Sequence, residues 1–261
     1  MSNSRPLVVI TGSSSGIGLE LARQFAANGY DLAISGASKR VFDSANALRL
    51  LGAEVYPCQA DAATHDGVEQ FWRFIKDLHR PIDAAVLNVG IGIGGEFAKT
   101  ALDDELRMIA INVSCTVHMA KRVVQDMVPR RSGRIMIVSS LSATTPTPYE
   151  AVYGPTKAFD FMFAEALREE MKKYNIVVTA LLPGATDSDF HKNAGMGNSV
   201  IGRGHKNDKV EVARQGFEAL MNDVDHVVGG DRATKEQALQ NRTMPYEVMA
   251  RRHAEIAKIG D

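Results

Sequence analysis

Tyr153 and Lys157 stand four residues apart in the run Tyr153-Gly154-Pro155-Thr156-Lys157. If this run opens a helix, the two side chains share one face, one turn apart. Pro155 suits such a start, because the first helical turn needs no donor from that position. A phenol beside an ammonium is more acidic than a free phenol, since nearby positive charge favours the phenolate. A tyrosine needs that help to exchange protons near neutral pH. Taken alone the pair is common, because any amphipathic helix can carry it. Three other stretches give it meaning. Ser140 ends the apolar run Ile135-Met136-Ile137-Val138, which reads as a buried parallel strand with hydroxyls at its carboxyl end. Thr11-Gly12-Ser13-Ser14-Ser15-Gly16-Ile17-Gly18 lies between the apolar run Leu7 to Ile10 and an amphipathic segment. Asn112 sits within Ile109-Ala110-Ile111-Asn112-Val113, a polar residue that periodicity turns inward.

These residues must be held by strands feeding helices. Strands are expected at about Leu7–Thr11, Asp31–Ser35, Glu54–Gln59, Ile82–Leu87, Arg134–Val138 and Ile176–Leu182, with a short one at His226–Val228. Helical patterns alternate with them, ending in a helix near Tyr246 to Ile259. Ala101 to Val128 reads as one long helix broken once. In the glycine turn each glycine has its own physical task. Gly12 permits the tight turn, Gly16 lets backbone approach a pyrophosphate, and Gly18 allows close helix–strand packing. The helix that follows presents free N–H groups and a positive dipole end.

In order and spacing, the glycine turn, Asn88-Val89-Gly90, the set Asn112, Ser140, Tyr153 and Lys157, and Pro183-Gly184 resemble the short-chain dehydrogenase/reductase family. The run Asp225 to Ile256 resembles the C-terminal extension of its broad-substrate oxidoreductase branch. The resemblance implies an α/β fold: one doubly wound Rossmann domain over 1–261 with a parallel sheet of about seven strands. It also implies a substrate loop at about 187–210 and a helical C-terminal extension over about 230–261. Hydride would pass between NADP(H) and a carbonyl or secondary alcohol, with Tyr153 as acid/base. Ser140 would hold the reacting oxygen, and Lys157 would lower the Tyr153 pKa and bind the nicotinamide ribose. Asn112 would distort its helix and anchor a water. Ser14, Ser15 and Ile17 would join the glycines around the phosphates. Asp61 would meet the adenine with Ala62 beside it, and Asn88, Val89 and Gly90 would flank a ribose. Pro183, Gly184, Thr186 and Ser188 would hold the carboxamide. One departure is Leu87, where the family usually has an asparagine.

Cofactor choice is read from the end of the second strand, where an acid would bind ribose hydroxyls and repel a 2′-phosphate. Here Ser38, Lys39 and Arg40 supply a hydroxyl and two cations, so NADP(H) is preferred over NAD(H). Ala37 stands where similar NADP enzymes often have an arginine, and the two cations could equally begin a solvated helix. The expected pocket residues Ile91, Ile93, Leu141, Tyr149, Phe190, Met196 and Ile201 suit a hydrophobic small molecule. Glycines at 195, 197, 202 and 204 make the substrate loop either filler or a hinged lid, and the lid is favoured by its start beside the carboxamide contacts.

Composition sets outer bounds. A chain of 261 residues can bury one large core, and a net charge of −1 gives no nucleic-acid footprint. Cys58 and Cys115 are too few for a disulfide scaffold and match no metal spacing. The seven histidines form no H-x-x-x-H or H-x-E pair, so no metal is expected. No leader or membrane-spanning run is read, and the expected compartment is cytoplasmic. Phe159, Phe161, Met162, Phe163, Ala166 and Leu167 wrap more than one helix face, which predicts a homodimer or homotetramer around this helix. The competing function is a non-catalytic NADP(H)-binding sensor or scaffold.

Overall fold

The computed structural model describes residues 5–258. β1 (Leu7–Ile10) leads into α1 (Gly16–Ala27), β2 (Asp31–Gly36) into α2 (Arg40–Arg49), and β3 (Val55–Gln59) into α3 (His65–Asp77). β4 (Ala84–Leu87) precedes α4 (Leu102–Ile109), a π turn (Ala110–Ser114) and α5 (Cys115–Met127). β5 (Gly133–Val138) is followed by a 3₁₀ turn (Leu141–Thr144), then α6 (Tyr153–Met171) and β6 (Ile176–Pro183). Two short helices, α7 (Phe190–Asn193) and α8 (Val200–Arg203), come before α9 (Lys209–Met221). β7 (His226–Gly229), α10 (Arg232–Asn241) and α11 (Tyr246–Ala257) complete the chain.

All seven strands lie parallel in one sheet of order β3-β2-β1-β4-β5-β6-β7. The order reverses at the neighbours β1 and β4, where Ile10 pairs with Val86. Such a sheet is covered on both faces, so its strands are apolar throughout rather than alternating. Leu7 and Val9 face a core that includes Phe71 and Ile75 of α3, Met119 and Val123 of α5, and Ala164 of α6. Val8 and Ile10 face a second core with Leu21 and Phe25 of α1, Val41 of α2 and Phe217 of α9. Each such large side chain contributes about 1.5–3 kcal/mol on burial. The result is the doubly wound architecture expected from the sequence.

Three local differences have physical causes. The long helix is not broken at its middle; it stays helical and absorbs one extra residue in the π turn around Asn112. There the Thr116 hydroxyl donates back to the Asn112 carbonyl at 2.7 Å, a bond that competes with the regular ladder. Helix α10 carries little apolar signal, with Thr234 its buried residue, and it starts because Asp231 caps the Thr234 N–H at 2.8 Å. The glycine-rich stretch after β6 folds into α7 and α8, with Ser199 capping the Gly202 N–H at 3.0 Å. Asn207 ties its far end back to Ala185 O and Thr234 Oγ1 at 3.1 and 2.9 Å. The last helix ends at Ala257 rather than Ile259; positions 259–261 lie outside the described residues. Among the described residues no helix is long and apolar enough to cross a membrane.

Candidate active site

A cavity of about 630 Å³ opens where the strand order reverses, along the carboxyl ends of β1, β4, β5 and β6. Its first wall is the turn between β1 and α1: Gly12, Ser14, Ser15, Gly16, Ile17 and Gly18 all line it. Gly12 has φ +69°, and an added Cβ would meet the Val89 Cα at 2.8 Å. A Cβ on Gly18 would meet Asn88 Nδ2 and Gly12 O, each at 2.3 Å. That closeness has a purpose. Asn88 Nδ2 donates to Thr11 O and Gly12 O at 3.1 and 2.9 Å, and Asn88 N donates to Thr11 Oγ1 at 3.0 Å. The end of β4 therefore holds the glycine turn in shape, and Leu87 before it is simply buried in the core. Ser15 caps α1 with extended backbone and no side-chain bond, so the first N–H groups of the helix keep no internal partner.

Asp61, Ala62, Val89 and Gly90 line the next part of the wall, and Pro183, Gly184, Thr186 and Ser188 line the far side with Ser140, Tyr153 and Lys157. Ser38, Lys39 and Arg40 do not join them. They are exposed beyond the end of β2, whose Gly36 and Ala37 reach the cavity instead. Tyr149 and Met196, expected in the pocket, also fall elsewhere. Tyr149 takes φ +66° and packs with Ala194, Met196 and Ala257 in a small separate cluster, where Met196 is fully buried.

Asn112 lies behind the wall, wholly buried, and its side chain is fully used. Nδ2 donates to Ile91 O at 2.9 Å and Thr156 Oγ1 at 3.0 Å, while Oδ1 accepts from Ile91 N at 2.9 Å. It joins the π turn to the loop after β4 and to α6. Gly90 sits close to both groups: a Cβ there would come 3.1 Å from Lys157 Nζ and 3.5 Å from Asn112 Oδ1, so the ammonium would have to give slightly. The first turn of α6 is fixed from the other side by Thr147. Its hydroxyl donates to Glu150 O at 2.8 Å and fills the space a Cβ on Gly154 would need. Ser139 Oγ donates to Lys157 O at 2.7 Å, which docks α6 on the end of β5.

The Tyr153 phenol is buried, and its ring packs against Phe190 with centroids 5.1 Å apart. Burial drives its pKa above the ordinary tyrosine range, the Glu150 carboxylate pushes the same way, and a hydrogen bond with Ser140 opposes them. This differs from the expectation that Lys157 lowers it. The Lys157 ammonium instead donates to Val138 O and to Asp160 Oδ2, both at 3.0 Å. Ile91, Ile93, Leu141, Phe190 and Ile201 supply the apolar lining as expected.

Several lining residues were not legible in the sequence. Glu150 is buried, and its Oε2 lies 3.2 Å from Nε2 of His253, which α11 brings more than a hundred positions along the chain. His191 is buried with no partner for Nδ1, and burial lowers its pKa. Arg107 reaches Asp61 with one nitrogen at 3.0 and 3.2 Å from the two carboxylate oxygens. Folding alone also brings together His65, Glu69 and His118, which share no metal-type spacing along the chain. Arg122 donates to the same Glu69 oxygen at 2.8 Å, so that carboxylate already has a cationic partner.

Comparison with known proteins places the chain in a family. The family description "short chain dehydrogenase" matches residues 6–198. A probable oxidoreductase, EphD of Mycobacterium bovis, is 32% identical over 216 residues, 80% of this chain. The match spans only 36% of that relative's own length. The 3-oxoacyl-acyl-carrier-protein reductase FabG of Chlamydia pneumoniae is 31% identical over 70% of this chain and 74% of its own. Among solved structures, a short-chain dehydrogenase from Sphingobium yanoikuyae in complex with NADPH superposes with a TM-score of 0.81. It is 26% identical, covering 91% of this chain and 93% of its own.

Proposed function

This chain belongs to the short-chain dehydrogenase/reductase family, and from that premise we propose that it transfers hydride between NADP(H) and a carbonyl or secondary alcohol of a hydrophobic small molecule. The observation that carries the reading is Tyr153 and Ser140 side by side in the cavity that the glycine turn opens. The fit of a dinucleotide rests on two features. The unpartnered N–H groups of α1 face no side-chain cap, and the backbone at Gly12 and Gly18 leaves no room for a Cβ. A bound nicotinamide would supply the hydride chemistry, and the protein's part is orientation and proton management. Gly12 to Gly18 would hold its phosphates, Asp61 and Ala62 its adenine, and Pro183, Gly184, Thr186 and Ser188 its carboxamide.

In the reductive direction Tyr153 gives its proton to the carbonyl oxygen, and Ser140 hydrogen-bonds that oxygen and fixes its place. A buried phenol of raised pKa keeps its proton across the physiological range, which suits a donor. Asn112 holds the loop after β4 and the start of α6 in one register, so Lys157 and Tyr153 keep their positions. The apolar lining from Ile91, Ile93, Leu141, Phe190 and Ile201 favours a hydrophobic substrate, with Glu150, His191 and His253 among the polar groups that also face the cavity. The loop over about 187–210 acts as a lid beside Phe190. NADP(H) is favoured over NAD(H) because no acid stands at the end of β2, where Ser38, Lys39 and Arg40 follow. The exposed row Phe159 and Met162 on α6 supports a dimer or tetramer, and a cytoplasmic setting accords with two free cysteines.

The rival reading, a non-catalytic binding protein, would keep the cofactor cavity without turnover. Purified protein with NADPH and a panel of ketones and aldehydes separates the two. Substrate-dependent loss of NADPH absorbance is the expected result; saturable NADPH binding with no turnover on any carbonyl would favour the rival.

A further inference from the structure

Asp160 is a buried charge that the reading above does not use. It lies on α6 three residues after Lys157, beside the core-facing Phe161 and Ala164. Its side chain is 1% exposed, and Oδ2 receives the Lys157 ammonium at 3.0 Å. The ammonium's other bond goes to Val138 O at the end of β5. Oδ1 has no partner. The Thr116 hydroxyl stands close to the carboxylate but donates its proton to Asn112 O, at 2.7 Å. A buried carboxylate is costly even when paired, and an apolar residue would pack this position at less cost. The position therefore carries a charge for a reason other than stability.

Resting on the oxidoreductase reading, we propose that Asp160 is a positioning residue: it holds the Lys157 ammonium toward Val138, cancels its charge, keeps Tyr153 in its proton-donating form, and so tunes the site for carbonyl reduction. In that reaction the carbonyl carbon accepts hydride from a reduced nicotinamide. The π electron pair moves to oxygen, and the oxygen takes the Tyr153 proton. The phenolate left behind regains a proton from solvent. The overall equilibrium is untouched; what Asp160 sets is the pH range in which Tyr153 can donate.

The titratable groups facing this pair come from four elements. Lys157 and Tyr153 share α6 with Asp160. Cys115 on α5 has its thiol pushed up to about 12 by burial and then by the Asp160 charge. Before α6, Glu150 faces Tyr153 and is itself paired with His253 of α11. His191 of α7 lines the same cavity. Burial is the first cause that raises the phenol, Glu150 the second, with Asp160 adding to them. Removing the charge at 160 leaves the positive charge of Lys157 unbalanced, which favours phenolate and lowers the phenol's pKa. Oxidation needs the phenolate, present above that pKa, and reduction needs the phenol, present below it.

The test compares wild type with Asp160→Asn as complete enzymes with cofactor. The pH profiles of kcat/KM are measured for carbonyl reduction and alcohol oxidation. In parallel, cofactor-free protein carrying ¹³Cζ-labelled tyrosine is titrated by NMR, with Tyr153→Phe identifying the resonance. Asp160→Asn should move the oxidative limb and the Tyr153 titration to lower pH by about one unit. At a fixed pH on that limb, oxidation then speeds up about tenfold. An unshifted limb and an unshifted resonance in folded Asp160→Asn would overturn the proposal. Where that variant does not fold, Asp160→Leu carries the same test without the unpaired oxygen, and failure of both to fold would also overturn it by making the pair purely structural. Wild-type protein with no turnover would defeat the oxidoreductase reading instead, while the NMR titration still decides for Asp160.

Discussion

Replacing Asn112 by leucine keeps the side-chain size and removes three hydrogen bonds, those to Ile91 N, Ile91 O and Thr156 Oγ1. An unsatisfied buried polar group costs about 1–3 kcal/mol. Ile91 is half-buried, so water can reach part of its loss. Thr156 Oγ1 keeps its own donated bond to Tyr153 O at 2.7 Å and loses only an accepted one. Taking the low end for each of the three gives about 3 kcal/mol of destabilisation. That is a large share of the 5–15 kcal/mol by which a domain is typically stable. Urea unfolding followed by the single tryptophan, Trp72, which packs against the core, reports it directly. The midpoint should fall with the slope unchanged, since the exposed surface is the same. Thr116→Val is the companion measurement. It removes the donated bond to Asn112 O and the hydroxyl beside Asp160 while leaving the three Asn112 side-chain ties in place, and it should cost less than Asn112→Leu, about 1.5 kcal/mol. An Asn112→Leu midpoint within error of wild type would refute the reasoning, because the three ties would then carry no net energy.

Gly18→Ala forces a Cβ against Asn88 Nδ2 and Gly12 O, so NADPH affinity should drop at least about tenfold by fluorescence titration; wild-type affinity would contradict the packing argument. Dissociation constants measured side by side should favour NADPH over NADH by about tenfold, or roughly 1.4 kcal/mol. The modest ratio follows from the exposure of Ser38, Lys39 and Arg40, since exposed ionic contacts contribute about 0–1 kcal/mol each. Equal or tighter NADH binding would mean those cations only meet solvent. Light scattering at micromolar concentration should report a dimer or tetramer, shifted toward monomer by Met162→Glu on the exposed row of α6; a monomeric wild type would leave that row without a partner.

The strands and the glycine turn could be read from the chain because their signals are local. Leu7 to Ile10 is apolar on both faces, and Gly12, Gly16 and Gly18 follow it at once. Asn112 was legible for the same reason, as a polar residue on an inward face. Residues that depend on distant partners were not legible. Glu150 reads as a loop carboxylate until α11 brings His253 to it. Asp160 carries no local signal, and only its burial beside Lys157 and Thr116 marks it. Its neighbour Phe159 is exposed, on the outer apolar face that the aromatic run marks for another subunit. Helix α10 falls within the expected helical extension, but its own start carries no apolar stripe, because capping by Asp231 begins it. The direction of the Lys157 ammonium is not legible, because spacing along a helix gives only a face, whereas Val138 O and Asp160 decide where the ammonium points.

Tyr153→Phe tests the central claim most directly. The change removes the phenol hydroxyl and keeps the ring against Phe190. Carbonyl-dependent NADPH oxidation should fall by roughly two orders of magnitude or more, while NADPH binding by the same protein stays within about twofold of wild type, a difference of only a few tenths of a kcal/mol. Near-normal turnover with cofactor binding intact would contradict Tyr153 as the acid/base.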